Sequence, residues 1–160
     1  THQDTNYVTT TNRRDYCEAW VLNGAKLAPL YDNPKSRRQI HREHQFTACL
    51  VFGAGPNVSD GRTENGSMER TKNTRACGSY EFFEDAIKYA LRAQFDAGIK
   101  FGGLVFVVAK ICCGIYAGSH AETINNVYTS LVQDVLDEQV GPNDEARWQY
   151  MYHAVIGDIM

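Results

Sequence analysis

Two histidines one helical turn apart, His41 and His44, have the spacing to share a metal ion. No acidic or cysteine ligand stands near them at a metal-binding spacing, so they read as two residues on a solvated basic helix, and no metal is expected. Lys35, Arg37, Arg38 and Arg42 share that stretch, and Arg62, Arg70, Lys72 and Arg75 follow in a polar loop. Such a set can hold the phosphates of a nucleotide or a nucleic acid, although charge runs more often serve solubility alone. Phe52-Gly53-Ala54-Gly55-Pro56 follows an apolar run, as the glycine turn of a dinucleotide fold does. That turn must open a helix at once, and Asn57-Val58-Ser59-Asp60-Gly61-Arg62 does not. The five cysteines, Cys17, Cys49, Cys77, Cys112 and Cys113, form no CxxC pair and are odd in number, which suits neither zinc nor a closed disulfide framework. No GxSxG elbow and no Walker loop is present.

The elements that must position these residues follow from pattern. Tyr16–Leu22 reads as a strand ended by the turn pair Asn23-Gly24. Asp32-Asn33-Pro34 supplies a cap and a first-turn proline for a helix through His44. Thr47–Phe52 reads as a buried strand, and residues 57–75 as a polar loop longer than compact domains usually carry. Phe83, Ala86, Ile87, Ala90 and Leu91 recur at helical spacing, which predicts a helix over Glu81–Ala97 with Gly98 as its stop. Gly103–Cys113 reads as a long strand, with the side chains of Cys112 and Cys113 on opposite faces. The stripe Ile124, Val127, Tyr128, Leu131, Val132, Val135 and Leu136 predicts a helix over Ala121–Glu138. Gly141-Pro142-Asn143 breaks it, and Trp148–Ile156 reads as a terminal strand. The sum is an α+β chain with one domain, 16–160, behind a flexible lead-in, 1–15.

Composition bounds the rest. With 43% hydrophobic residues and a net charge of −3, the 160 residues can bury one core and are not disordered. The most apolar stretch, Leu104–Cys113, contains Lys110 and falls far short of a membrane span, so no membrane partner is expected. Residues 1–80 carry 11 basic and 8 acidic side chains, and residues 81–160 carry 5 and 11. The overall acidity argues against a dedicated DNA-binding domain. Asn57-Val58-Ser59 and Asn65-Gly66-Ser67 would be glycosylation sites only in a secreted chain. The absence of a signal-type apolar run at Thr1 favours an intracellular location.

Taken in order, these segments resemble the catalytic domain of poly(ADP-ribose) polymerases and the wider ADP-ribosyltransferase fold. Val21-Leu22-Asn23-Gly24-Ala25-Lys26-Leu27 with Tyr31 and the basic helix is similar to the family's opening segment. Leu50-Val51-Phe52-Gly53-Ala54 resembles its first core strand. Cys77-Gly78-Ser79-Tyr80 and the helix through Lys88-Tyr89-Ala90 look like its glycine–x–tyrosine motif, and Gly103–Gly114 like its next central strand. The resemblance covers residues 16–160 and implies a split mixed β-sheet with flanking helices.

It also implies a site. In that family a histidine and a glycine hold the nicotinamide end of NAD, a tyrosine stacks on the ring, and a glutamate faces the oxocarbenium-like transition state. By position, Gly53 matches the glycine and Tyr80 the tyrosine. Phe52 stands at the histidine position and Gln149 at the glutamate position, near the start of the last strand. A glutamine brings no negative charge to an oxocarbenium ion, and losing one such group costs about 10²–10³ in rate. The implied function is therefore a degenerate, catalytically inactive domain that binds a protein partner, with nucleic acid through Lys35, Arg37, Arg38 and Arg42 as a second class of partner and NAD as the implied cofactor. The alternative is a working divergent transferase that recruits Glu145 as its carboxylate.

Overall fold

The computed structural model describes residues 5–9, 16, 18–27, 46–59, 73–102, 105–151 and 153–157. The helix expected from Pro34 through His44, with His41, His44 and its four basic residues, lies outside the described residues. So do the Asn65 sequon and residues 60–72 of the long loop.

The described chain mixes helix and strand, as expected for an α+β protein. Its elements are β1 (Thr5–Thr9), β2 (Glu18–Leu27), β3 (Phe46–Gly53), α1 (Thr74–Gly78), α2 (Tyr80–Lys100), β4 (Val105–Ala109), α3 (Ala121–Asp137) and β5 (His153–Gly157). Strands β1, β2 and β3 form an antiparallel sheet in that order, and β4 and β5 pair in parallel in a second sheet. Thr5–Thr9 falls inside the stretch expected as a flexible lead-in; it is instead an edge strand, with Tyr7 opposite Trp20.

Alternation along β2 sets the packing. Ala19 and Val21 are fully buried, while Trp20 between them is 49% exposed. Their cross-strand partners are Gly53, Val51 and Phe52 respectively. The small inner face lets α2 come close, and Ala93 and Ala97 join Ala19 and Val21 in one apolar cluster. Asn23-Gly24 does not end the strand. Its register shifts between Leu22 and Ala25, with Gly24 at φ +71°, so the pair forms an irregularity inside a longer strand.

The other side of α2 carries Phe83, Ile87, Leu91 and Phe95 into the main core with Tyr128, Leu131 and Val135 of α3. Both helical stripes read from the sequence are the buried faces. Gly98, expected as the stop, is a buried interior position, and α2 runs on to Lys100. A side chain there would meet the Phe106 ring of β4, with a Cβ 2.5 Å from its Cζ. We therefore expect Gly98→Ala to destabilise the fold by about 1 kcal/mol, because overpacking of about 1–3 kcal/mol outweighs the roughly 1 kcal/mol of helix propensity gained. A urea midpoint higher than that of the wild type would overturn this account.

The strand expected over 103–113 ends at Ala109. Cys112 then sits in a turn at φ +53°, so the two cysteines do not alternate across a sheet. Tyr128, fully buried on α3, closes this turn: its hydroxyl accepts from Ile111 N–H (3.0 Å) and donates to the Ala109 carbonyl (2.9 Å). The Asn125 amide donates to the Cys113 carbonyl (2.7 Å).

Past α3, the hairpin-like segment 138–147 folds back through a Gln139–Ala146 bridge. Trp148, Gln149 and Tyr150 belong to a 3-10 turn, Arg147–Tyr150, so the last strand starts five residues later than expected. Arg147 is buried and anchors this turn. It donates to Asp96 of α2 (2.7 and 3.3 Å), to Glu138 (2.5 Å) and to the Val135 carbonyl (3.0 Å). Arg92 forks onto the same Glu138 carboxylate.

Burial alone would raise the Glu138 pKa, but the hydrogen bonds and charges of Arg92 and Arg147 win and hold it below the ordinary range. Its folded pKa lies below the unfolded one, so its contribution is complete above about pH 4.3 and is lost as pH falls through the folded value. The acid-side fall of the urea midpoint should therefore be shallower in Glu138→Gln than in the wild type. Equal slopes would count against this assignment.

Candidate functional site

A groove opens where β3 ends. One part, about 300 Å³, is bordered by Trp20, Phe52 and Gly53. The adjoining part, about 570 Å³, reaches Gly55, Asn57, Ile111, Cys112 and Tyr116, and Tyr16, Gly53 and Ala54 border both. Trp20 and Phe52 stand directly opposite each other on the outer face of the sheet, and Tyr116 is 54% exposed. No charged side chain lines either part among the described residues.

The groove is built from close backbone approaches. Gly53 lies over Gln94 of α2, whose side-chain carbon Cδ would be 2.8 Å from a Cβ there. Gly55 lies against the Cys112 sulfur, which a side chain at that position would displace. The next residues, Pro56 to Ser59, are buried. Val58 N–H donates to the Tyr116 carbonyl (2.8 Å), and Ser59 N–H donates to the Asn57 side chain (3.0 Å). Asn57 is only 7% exposed, so its sequon is closed in the folded chain.

Asn73 ties this loop to the first sheet's lead-in. Its N–H donates to the Asn57 carbonyl (2.7 Å), its side-chain oxygen caps α1 at Ala76 (2.9 Å), and its amide donates to the Tyr16 hydroxyl (2.6 Å). Tyr16 has φ +74° and Cys112 φ +53°. Two of the three non-glycine residues at positive φ among the described residues therefore border the groove. Such conformations cost about 1–3 kcal/mol each and concentrate where function holds them.

Of the residues expected in a site, Phe52 and Gly53 lie together in this groove. Tyr80 does not. It begins α2 at the opposite end from Gln94, 14 residues or about 21 Å along the axis. There it is half-buried, edge-on to His120 (5.5 Å between ring centres), and His120 in turn bonds the Ala76 carbonyl. Burial of the Tyr80 hydroxyl, with the Glu84 carboxylate next in weight, pushes its pKa up to about 12. That hydroxyl lacks a hydrogen bond of normal geometry.

Gln149 lies in a third place. The Arg147–Asp96 pair brings its turn against the C-terminal half of α2, two residues, or about 200°, around the helix from Gln94. Its side chain is spent on the turn itself, accepting from Ala146 N–H (2.9 Å). Glu145, the substitute carboxylate, accepts from the Asn143 backbone and side chain and from Tyr150. The Asn143 hydrogen bonds hold its pKa below the usual range.

The described residues hold no group of three or more metal-binding side chains. Burial pushes the thiols of Cys112 and Cys113 up to about 12 and about 11, so neither is a thiolate at neutral pH. No helix among the described residues is long and apolar enough to cross a membrane. Trp20, Tyr16 and Tyr116 escaped the sequence reading as site residues. Trp20 alone had a signal there, as an aromatic between Ala19 and Val21 in a stretch that reads as an alternating strand.

Comparison with known proteins finds no matching family model, no matching characterised protein and no matching solved structure.

Proposed function

We propose that this chain is a binding module on the plan of the ADP-ribosyltransferase fold, with its split sheet, that does not transfer ADP-ribose and meets a protein partner through the groove at the end of β3. The observation that carries this reading is the separation of the expected catalytic set. Phe52 and Gly53 line an aromatic groove that carries no charged side chain among its described residues, while Tyr80 packs against the core at the far end of α2 and Gln149 caps its own turn. A transferase must hold a carboxylate against the developing positive charge on the ribose, and no carboxylate borders the groove among its described residues. Glu145, which the active alternative would recruit, is engaged by Asn143 and Tyr150.

What remains is a concave, partly apolar surface with exposed aromatic walls, the composition of recognition sites rather than of hydrolytic ones. NAD enters this reading only as a ligand that the glycine turn could admit, not as a consumed substrate.

Nicotinamide release from NAD tests it directly. The wild type and Tyr80→Ala should both release nicotinamide at the rate of a protein-free blank. Release by the wild type that disappears in Tyr80→Ala would make the chain an enzyme and end the binding-module reading.

A further inference from the structure

We propose that Asn23 is a site of spontaneous covalent modification, at which the folded chain closes a cyclic imide with Gly24 and reopens to isoaspartate. The step needs no enzyme, only water. The main-chain nitrogen of Gly24 attacks Cγ of Asn23. A Cγ–N bond forms, the Cγ–Nδ2 bond breaks, and ammonia leaves with the proton from the Gly24 nitrogen. Water then opens the five-membered ring. Opening at Cγ gives aspartate, and opening at the main-chain carbonyl gives isoaspartate, with one extra carbon in the path of the chain.

Three features of β2 favour closure at this pair. The first is the break in the ladder. Leu22 pairs with Leu50 and Ala25 with Ala48, so Asn23 and Gly24 together face Cys49 alone. A residue in excess disrupts the ladder locally, and the nitrogen that must turn towards Cγ lies at that break. The second is the glycine itself. Gly24 holds φ +71°, and a Cβ there would meet nothing within 4 Å among the described residues, so no side chain crowds the attacking nitrogen. The third is access. Both residues are exposed, although Val21 two positions earlier is fully buried, so water and hydroxide reach them.

The other asparagines whose side chains are described lack this combination. None of Asn57, Asn73, Asn125, Asn126 and Asn143 precedes a glycine. Asn57 is the sharpest contrast. It is 7% exposed, its side chain accepts from Ser59 N–H, and the nitrogen that would attack it, that of Val58, donates to the Tyr116 carbonyl. The Asn73 and Asn143 amides are engaged as well, with Tyr16 and Glu145. At Asn23 the added carbon and negative charge fall in the middle strand of the sheet, between β1 and β3.

The test is peptide mapping of the intact chain held in mildly alkaline buffer at body temperature. Trypsin releases residues 15–26, in which Asn23 is the only side-chain amide. The other asparagine–glycine pair, Asn65-Gly66, leaves in a separate peptide, residues 63–70. Conversion adds one mass unit, and isoaspartate is told from aspartate by its resistance to endoproteinase Asp-N. A synthetic peptide of residues 15–26 sets the rate without a fold. The folded chain should convert Asn23 within about tenfold of that rate, because local opening at a ladder break costs little. Isoaspartate should be the larger product. Asn23→Gln should lose the reaction, since its ring would need six members.

Urea below the unfolding transition separates the folded route from the unfolded one. A rate that stays flat there belongs to the folded chain, and a rate that climbs with the unfolded fraction would overturn the proposal. So would an amide that persists in the folded chain while the peptide converts. Aspartate without isoaspartate, or equal conversion in Asn23→Gln, would show direct hydrolysis without a ring and overturn it too.

Discussion

Replacing Arg147 with methionine is expected to cost about 3 kcal/mol of stability, read as a fall of about 6–12 °C in Tm for a chain of this size. The guanidinium is 6% exposed and serves three elements at once: Asp96 on α2, the Val135 carbonyl on α3 and Glu138 just beyond it. Removing it leaves two carboxylates and a carbonyl short of a donor. The carboxylates are each about one-third exposed, which keeps the loss at the lower end of the range for broken buried pairs. Arg147→Lys should recover only part of the loss, because an ammonium cannot span both carboxylates as the planar fork does. A change below 1 kcal/mol in calorimetry would mean that water replaces these contacts at no cost.

Tyr128→Phe should remove about 2–3 kcal/mol by a different route. The phenol ring can stay, since it is packed on all sides with no exposed surface. The single oxygen lost, however, satisfies both Ile111 N–H and the Ala109 carbonyl. Each unmet buried group carries a desolvation penalty of about 1–3 kcal/mol, and partial relaxation of the turn recovers some of it. The same oxygen positions the turn that delivers Cys112 beneath Gly55. Faster hydrogen exchange at Ile111, together with the lost stability, would locate the damage there. A purely global change with Ile111 still protected would contradict this picture.

Periodicity made the helices legible. Phe83 to Leu91 and Ile124 to Leu136 announce α2 and α3, because a buried helical face repeats over several turns. Positions governed by a single tertiary contact were not legible. Gly98 looks like a stop in sequence, yet Phe106, eight residues later in the chain, makes a glycine necessary inside the helix. Asn23-Gly24 has turn chemistry, but β3 continues to pair across it and turns it into an irregularity within a strand. Gln149 sits in an apolar run that reads as strand, and the buried Arg147 beside it winds that run into a 3-10 turn. Half of the groove could be read ahead, since Phe52 and Gly53 end a strand that pattern identifies. Tyr16 and Tyr116 reach it through the positive φ of Tyr16 and the Val58–Tyr116 bond, which no local pattern encodes.

The parallel pairing of β4 with β5 has a consequence for synthesis of the chain. Val105-Phe106-Val107-Val108-Ala109 contains no charge, glycine or proline, and Val107 remains 77% exposed even when paired. Its partner begins at His153, 44 positions after Ala109. At about 5–20 residues per second, a ribosome needs roughly 2–9 s to make the intervening chain. During that interval β4 lacks the one strand it pairs with among the described residues. Chains stopped short of His153 should therefore be the ones that chaperones hold and that aggregate, while α2 and α3 are already helical.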